Sequence, residues 1–262
     1  MKTASRTALL PAIFGAASIA LASSLFSAPA NAYTVNLNGR IAGDPGGALY
    51  DVGVDSDNDI GRALDPITWL VPAGTQGDTG ILPYDISAQA NITLKNLTSD
   101  LLELVITLTN TTVAGPDRQA SIVSFGFGVS PDATGVQISQ EGNIVFDQAI
   151  IQNGQQQFPG GFKRIDVCIY GANNCSGGNV NQGLQIGQSD TFTLKISGKF
   201  GTNPSAVTIS DFPLKFQTNY GSFEPAGIPE PLTVAGSGLA LGIGALLKKQ
   251  SAKRSSKEVV KS

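Results

Sequence analysis

The sequence predicts an all-β fold: two antiparallel sheets packed face to face as a β-sandwich, immunoglobulin-like or jelly-roll in kind. Three observations carry this. Apolar residues recur at every second position in several separate runs, the beat of strands with one buried face. Clusters of turn-forming residues interrupt these runs roughly every ten residues. No stretch of the central chain carries a helical period of useful length. Composition agrees: 31 of 262 residues are glycine and 14% are charged, against usual shares of about 7% and 25%. Strand order is not legible at this level.

Taken in order, the chain opens with Lys2 and Arg6, an apolar run from Ala8 to Phe26 and the small-residue site Ala30-Asn31-Ala32. That succession is a secretory signal over residues 1–32, leaving a mature chain that begins near Tyr33. Residues 33–224 are then the folded body. From Gly39 to Gly80 the body is irregular and rich in Gly, Asp and Pro, which reads as a loop layer at one edge. A single strand is expected inside it, at Ile67–Val71, with the chain's one tryptophan, Trp69. Regular alternation follows: Ile92 and Leu94, then Leu102, Leu104, Ile106 and Leu108. The same beat returns in Val123, Phe125, Phe127 and Val129, in Ile144 and Phe146, in Ile165, Val167 and Ile169, and in Phe192, Leu194 and Ile196. Between Phe223 and Ile228 the chain turns to Pro and Gly and reads as a short linker out of the body.

Charge separates the body from the end. Residues 33–228 hold 9 Lys and Arg against 18 Asp and Glu, whereas residues 248–262 hold 6 against 1. An acidic body repels nucleic acid and anionic membrane surfaces, so no nucleic-acid partner is expected. The basic cluster Lys248, Lys249, Lys253, Arg254, Lys257 and Lys261 follows an uncharged run, Leu232–Leu247. Its placement matches the cytoplasmic flank of a stop-transfer segment. The run's length as a helix is about 24 Å, short of the roughly 30 Å hydrocarbon core, so residues 232–247 are a marginal anchor in the inner membrane. Pro229 and Pro231 keep Pro229-Glu230-Pro231 extended at the outer interface, within reach of a membrane-embedded peptidase.

Motif, Gly- and Leu-rich span and basic tail in this order resemble the PEP-CTERM sorting signal of bacterial exosortase systems. The resemblance covers residues 229–262. It implies recognition by exosortase, an integral-membrane transpeptidase, a cut near Pro229-Glu230-Pro231, and delivery of the body to the cell surface or extracellular matrix. The 15-residue tail after the span is longer than the few residues usual in the family. An ordinary single-span anchor is the plainer alternative.

Two more features bear on function. Cys168 and Cys175, the only cysteines, flank a Gly- and Asn-bearing loop, and an exported chain meets an oxidising compartment, so a disulfide is expected. Asp55, Asp57 and Asp59 place carboxylates at every second position, a spacing that turns alternate oxygens toward one point as Ca²⁺ requires. The EF-type pattern is incomplete, since Ile60 and Pro66 stand where Gly and Glu belong. A weak calcium loop and a solvated acidic loop are both open readings. The chain has no histidine, which removes Ser-His-Asp and Cys-His nucleophiles and His-ligated metals. The functional expectation is a non-enzymatic surface or matrix protein, structural, adhesive or associated with exopolysaccharide. Its alternatives are a carbohydrate-active enzyme using two carboxylates in a cleft, and a carbohydrate-binding module with Trp69 and tyrosines in an exposed row.

Overall fold

A computed structural model describes residues 34–37, 50–140, 145–152, 158–162 and 165–229. The signal segment 1–32, Ile144, Glu230, Pro231, the apolar run 232–247 and the basic tail lie outside the described residues. The described chain is all-β, with two short 3-10 turns and no α-helix. Among the described residues no helix is long and apolar enough to cross a membrane.

β1 (Thr34–Leu37) and β2 (Tyr50–Asp55) come first, and β2 lies inside the stretch expected to be loop. β3 (Ile67–Val71) falls where the sequence places a strand, and β4 (Ile86–Leu97) and β5 (Leu101–Asn110) make a hairpin. β6 (Ala120–Ser130), β7 (Gly135–Gln140), β8 (Gln148–Ile151), β9 (Val167–Tyr170) and β10 (Ser189–Ser197) follow. β11 (Ala206–Ser210), β12 (Leu214–Thr218), β13 (Gly221–Phe223) and β14 (Ile228–Pro229) complete the described chain. Phe146 precedes β8 rather than sitting in a strand, held by its N–H donating to the buried Asp190 carboxylate at 2.8 Å.

One sheet runs β14-β3-β4-β5-β10-β7, antiparallel throughout. The other is built around β6. Successive residues of a strand bond to opposite flanks: Gly126 donates to Pro213 O at 2.9 Å, whereas Phe127 O accepts from Asp166 at 3.1 Å. β11 and β12 therefore share one flank of β6, while β9 and then β8 occupy the other. β2 and β1 extend the sheet beyond β11, and β13 pairs with β12.

The sheets meet through their alternating apolar faces. Ile86, Ala88, Ala90, Ile92 and Leu94 of β4 lie beside Leu102, Leu104, Ile106 and Leu108 of β5, all buried in one core. Phe125 and Phe127 face them from β6, and Trp69 of β3 meets the Phe125 ring edge-on at 5.7 Å. Each such large side chain contributes about 1.5–3 kcal/mol through removal of apolar surface from water.

A bulge corrects the alternation read in β6. Lys215 pairs with Ser124 but Phe216 pairs with Ile122, so Val123 is skipped. Ile122, not Val123, thus continues the core face of Phe125 and Phe127. A one-residue insertion flips every later side chain, because the strand period is two.

β6 is buried on both faces except at its last residue. Its outer face is covered by a second apolar cluster of Phe158, Phe162, Ile165, Cys168 and Cys175. The fit is close at Gly126, where a Cβ would stand 2.9 Å from Ile165 and 3.0 Å from Phe158.

Candidate functional site

The C-terminal edge of the body is where the fold meets the motif at 229–231. The residues expected to be linker are instead bonded into both sheets. Leu214 N–H donates to Pro225 O at 3.1 Å, and Gly227 N–H donates to Phe212 O at 2.9 Å, both within the β6 sheet. The chain then crosses to the other sheet, where Ile228 pairs with Thr68 and Pro229 with Ile67. Thr68 Oγ1 adds a bond to Ile228 O at 3.2 Å. Proline suits an edge strand because it has no N–H to offer the ladder. Beneath this crossing lies Trp69, whose Nε1 donates to the same Phe212 O at 2.8 Å. Only glycine allows the approach: a Cβ on Gly227 would stand 2.3 Å from Ile67 Cγ2 and 2.9 Å from Trp69 Nε1. Glu230 and Pro231 lie outside the described residues.

Trp69 is 2% exposed. The exposed aromatic row required of a carbohydrate-binding module cannot include it. Its polar N–H has a buried partner, and its ring belongs to the core.

The acidic stretch folds into a turn bonded to itself. Asp55 Oδ1 accepts from the N–H groups of Asp57 and Asn58, each at 2.9 Å, and from Asn58 Nδ2 at 3.0 Å. The Asn58 side chain, opposed by burial and aided by the backbone N–H groups of Asn58 and Asp57, holds the Asp55 carboxyl below the ordinary aspartate range. Asp59 is fully buried; its Oδ2 accepts from Asp55 N–H at 2.8 Å, and its Oδ1 has no hydrogen-bond partner. Asp57 is exposed. Asp55 and Asp59 are thus joined backbone to carboxylate. No group of three carboxylate or thiol side chains able to hold a metal converges among the described residues.

Cys168 and Cys175 form the expected disulfide. Cys168 lies on the outer face of β9, and both sulfurs sit in the cluster that covers β6. Ser124 Oγ reaches across to Cys175 O at 2.9 Å, tying the loop to the central strand. Nearby, Lys215 Nζ pairs with Glu224 Oε1 at 2.5 Å, both largely shielded from solvent.

Among carboxylates, Asp166 stands out. Burial raises its carboxyl above the ordinary aspartate range, the Val129 N–H opposes that, and the neighbouring Asp132 charge adds to it. Its Oδ2 accepts from Val129 N–H at 2.6 Å. β9 begins only at Val167, so this carboxylate supplies the acceptor that the ladder lacks opposite Val129. An open depression of about 410 Å³ is lined by Gly53, Val54, Asp55, Ser130, Pro131, Ala206, Val207 and Thr208. It holds one carboxylate and no aromatic wall, unlike the cleft that a two-acid glycosidase requires.

The outer face of the β4-β5-β10 region carries neutral polar groups in register. Gln89, Thr109 and Ser189 form one row across the strands, and Asn91, Thr107 and Thr191 the next. Thr107 and Thr191 hydroxyls lie 2.9 Å apart, and those of Thr109 and Ser189 2.8 Å apart. In each pair one O–H is used and the other remains available to a ligand or water. Lys95 and Glu103, 3.1 Å apart, mark the charged end of this face.

No protein-family model and no curated protein matches this chain.

Proposed function

We propose that this is a non-enzymatic exported protein of the cell surface or extracellular matrix. It leaves the cytoplasm by its N-terminal signal, is held in the inner membrane by residues 232–247, and is released by exosortase at Pro229-Glu230-Pro231. There it acts structurally, in adhesion or in association with exopolysaccharide. The observation that carries this reading is the position of β14: Ile228 and Pro229, the first residue of the motif, are paired on β3, so the folded body reaches the motif. The closed pair Cys168–Cys175 supports an oxidising destination. The neutral hydroxyl and amide face supports contact with an uncharged polymer. An immunoglobulin-like or jelly-roll subclass of the sandwich belongs to the same proposal.

The test is expression of the full chain in a host with and without exosortase, together with alkaline phosphatase fused after Ser262. The reading expects surface or medium delivery only with exosortase, accumulation of uncut chain in the inner membrane without it, and an inactive reporter. An active reporter, or equal delivery in both hosts, would overturn it. Calcium titration separates the two readings of Asp55, Asp57 and Asp59: a melting temperature that rises at millimolar Ca²⁺ marks an ion-binding loop, and an unchanged one the self-bonded turn.

A further inference from the structure

The crossing at Pro225–Pro229 ties the two sheets together. Its backbone is bonded first to β12 and the residues before it, then to β3, and it covers Trp69 between the two. An endopeptidase binds its substrate as an added extended strand, using the substrate's own backbone groups. In this segment Gly227 N–H and the carbonyls of Pro225 and Ile228 are already occupied. The Gly227 backbone also lies too close to Ile67 and Trp69 for a protease to slip between them. Cleavage there requires the segment to lift off first, and local opening of a bonded edge carries a free-energy cost that lowers the cutting rate.

We propose that Pro225–Pro229 is a latch that sets the inner limit of C-terminal processing: while the body is folded, peptide bonds within it are closed to hydrolysis, so the trimmed chain keeps Pro229 and its last strand. This deepens the sorting reading and rests on it for its biological role, but the latch is testable without exosortase. On this reading the same contacts keep the body closed over its tryptophan once the anchor is lost.

The experiment uses the purified full chain in detergent under native conditions, treated with a low level of proteinase K, which adds water across the bond it cuts. Mass spectrometry of the new C-termini and fluorescence of Trp69, the chain's single tryptophan, are followed together. The latch predicts wild-type ends at or beyond Pro229, none within Pro225–Ile228, and an unchanged Trp69 emission after trimming. Gly227→Val should bring cuts within 225–229 at least tenfold faster and make Trp69 accessible to acrylamide. Thr68→Val, which removes one exposed hydrogen bond without touching the core, should speed those cuts several-fold. If Gly227→Val abolishes the cooperative melt, Thr68→Val decides alone. Wild-type cutting within Pro225–Ile228 as readily as beyond it would overturn the latch. So would Thr68→Val leaving the cutting rate unchanged. Either result leaves exosortase sorting itself untouched, since that is read from delivery in the two hosts.

Discussion

Asp166 gives the body a pH dependence whose sign follows from its surroundings. Its carboxyl is raised chiefly by burial, so folding favours its protonated form. Stability from such a group is fully present below the unfolded value, about 3.9, and is lost as pH rises through the folded one. Asp166→Asn retains an oxygen for the Val129 N–H and never ionises. Thermal melts from pH 3 to 7 should show the variant equal to wild type at the acid end and more stable near neutrality. An advantage confined to low pH would contradict this. Asp55 works in the opposite sense: its lowered carboxyl stabilises above the ordinary aspartate value and loses that contribution as pH falls through the folded one. Trp69 is the other decisive residue. Trp69→Ala removes the edge contact to Phe125 and the hydrogen bond to Phe212 O, and should cost about 3–5 kcal/mol in chemical denaturation.

Elements differ in how plainly their residues announce them. β10 is the plainest because one face is apolar and the other polar along the whole strand, Phe192, Leu194 and Ile196 against Thr191, Thr193 and Lys195. β3 and β5 are legible from the period-two beat of their buried faces even though Leu70 and Val105 stand on the outer ones. β6 was legible as a strand but not in register, since nothing in Ile122-Val123-Ser124-Phe125 says which residue the bulge will skip. β2 and β11 escaped because short strands such as Val52 and Val54, or Val207 and Ile209, alternate for too few residues. The outer cluster was invisible for a different reason. Phe158 and Phe162 keep no period, and Ile165 keeps the beat of Val167 and Ile169 but precedes β9 and joins the outer cluster while they join the main core. The partner surface, Ser124 and Gly126, looks like the solvent side of a strand. Within that layer the disulfide closes a small loop and should contribute about 2.5 kcal/mol by restricting the unfolded chain. Cys168→Ser with Cys175→Ser, or reduction, should therefore lower the melting temperature by about 5–10 °C while far-UV circular dichroism keeps its β signature. A shift of under about one degree would show the loop to be held by its packing alone.

At the scale of the whole molecule, the sequence divides the chain into signal, acidic body and basic-ended terminal segment, and the described structure moves one of those boundaries. Pro225 and Gly227 suggest a linker because proline cannot donate to a ladder and glycine brings no side chain to a core. Here both residues are used: Pro225 contributes its carbonyl, which accepts from Leu214 N–H, and the missing Cβ lets Gly227 lie against Trp69. The body thus extends to the motif itself. Asp55, Asp57 and Asp59 share one turn, and their spacing does not reveal that Asp55 and Asp59 serve that turn's own backbone. The central claim is that the chain is exported and trimmed just beyond its last described strand. Intact mass of the protein recovered from the surface or medium of a host with exosortase tests it most directly. The account predicts a single species beginning near Tyr33, ending at or shortly after Pro229, and two mass units lighter than its reduced form. A surface product that still carries Lys248–Ser262, or one that ends before Pro229, would contradict it.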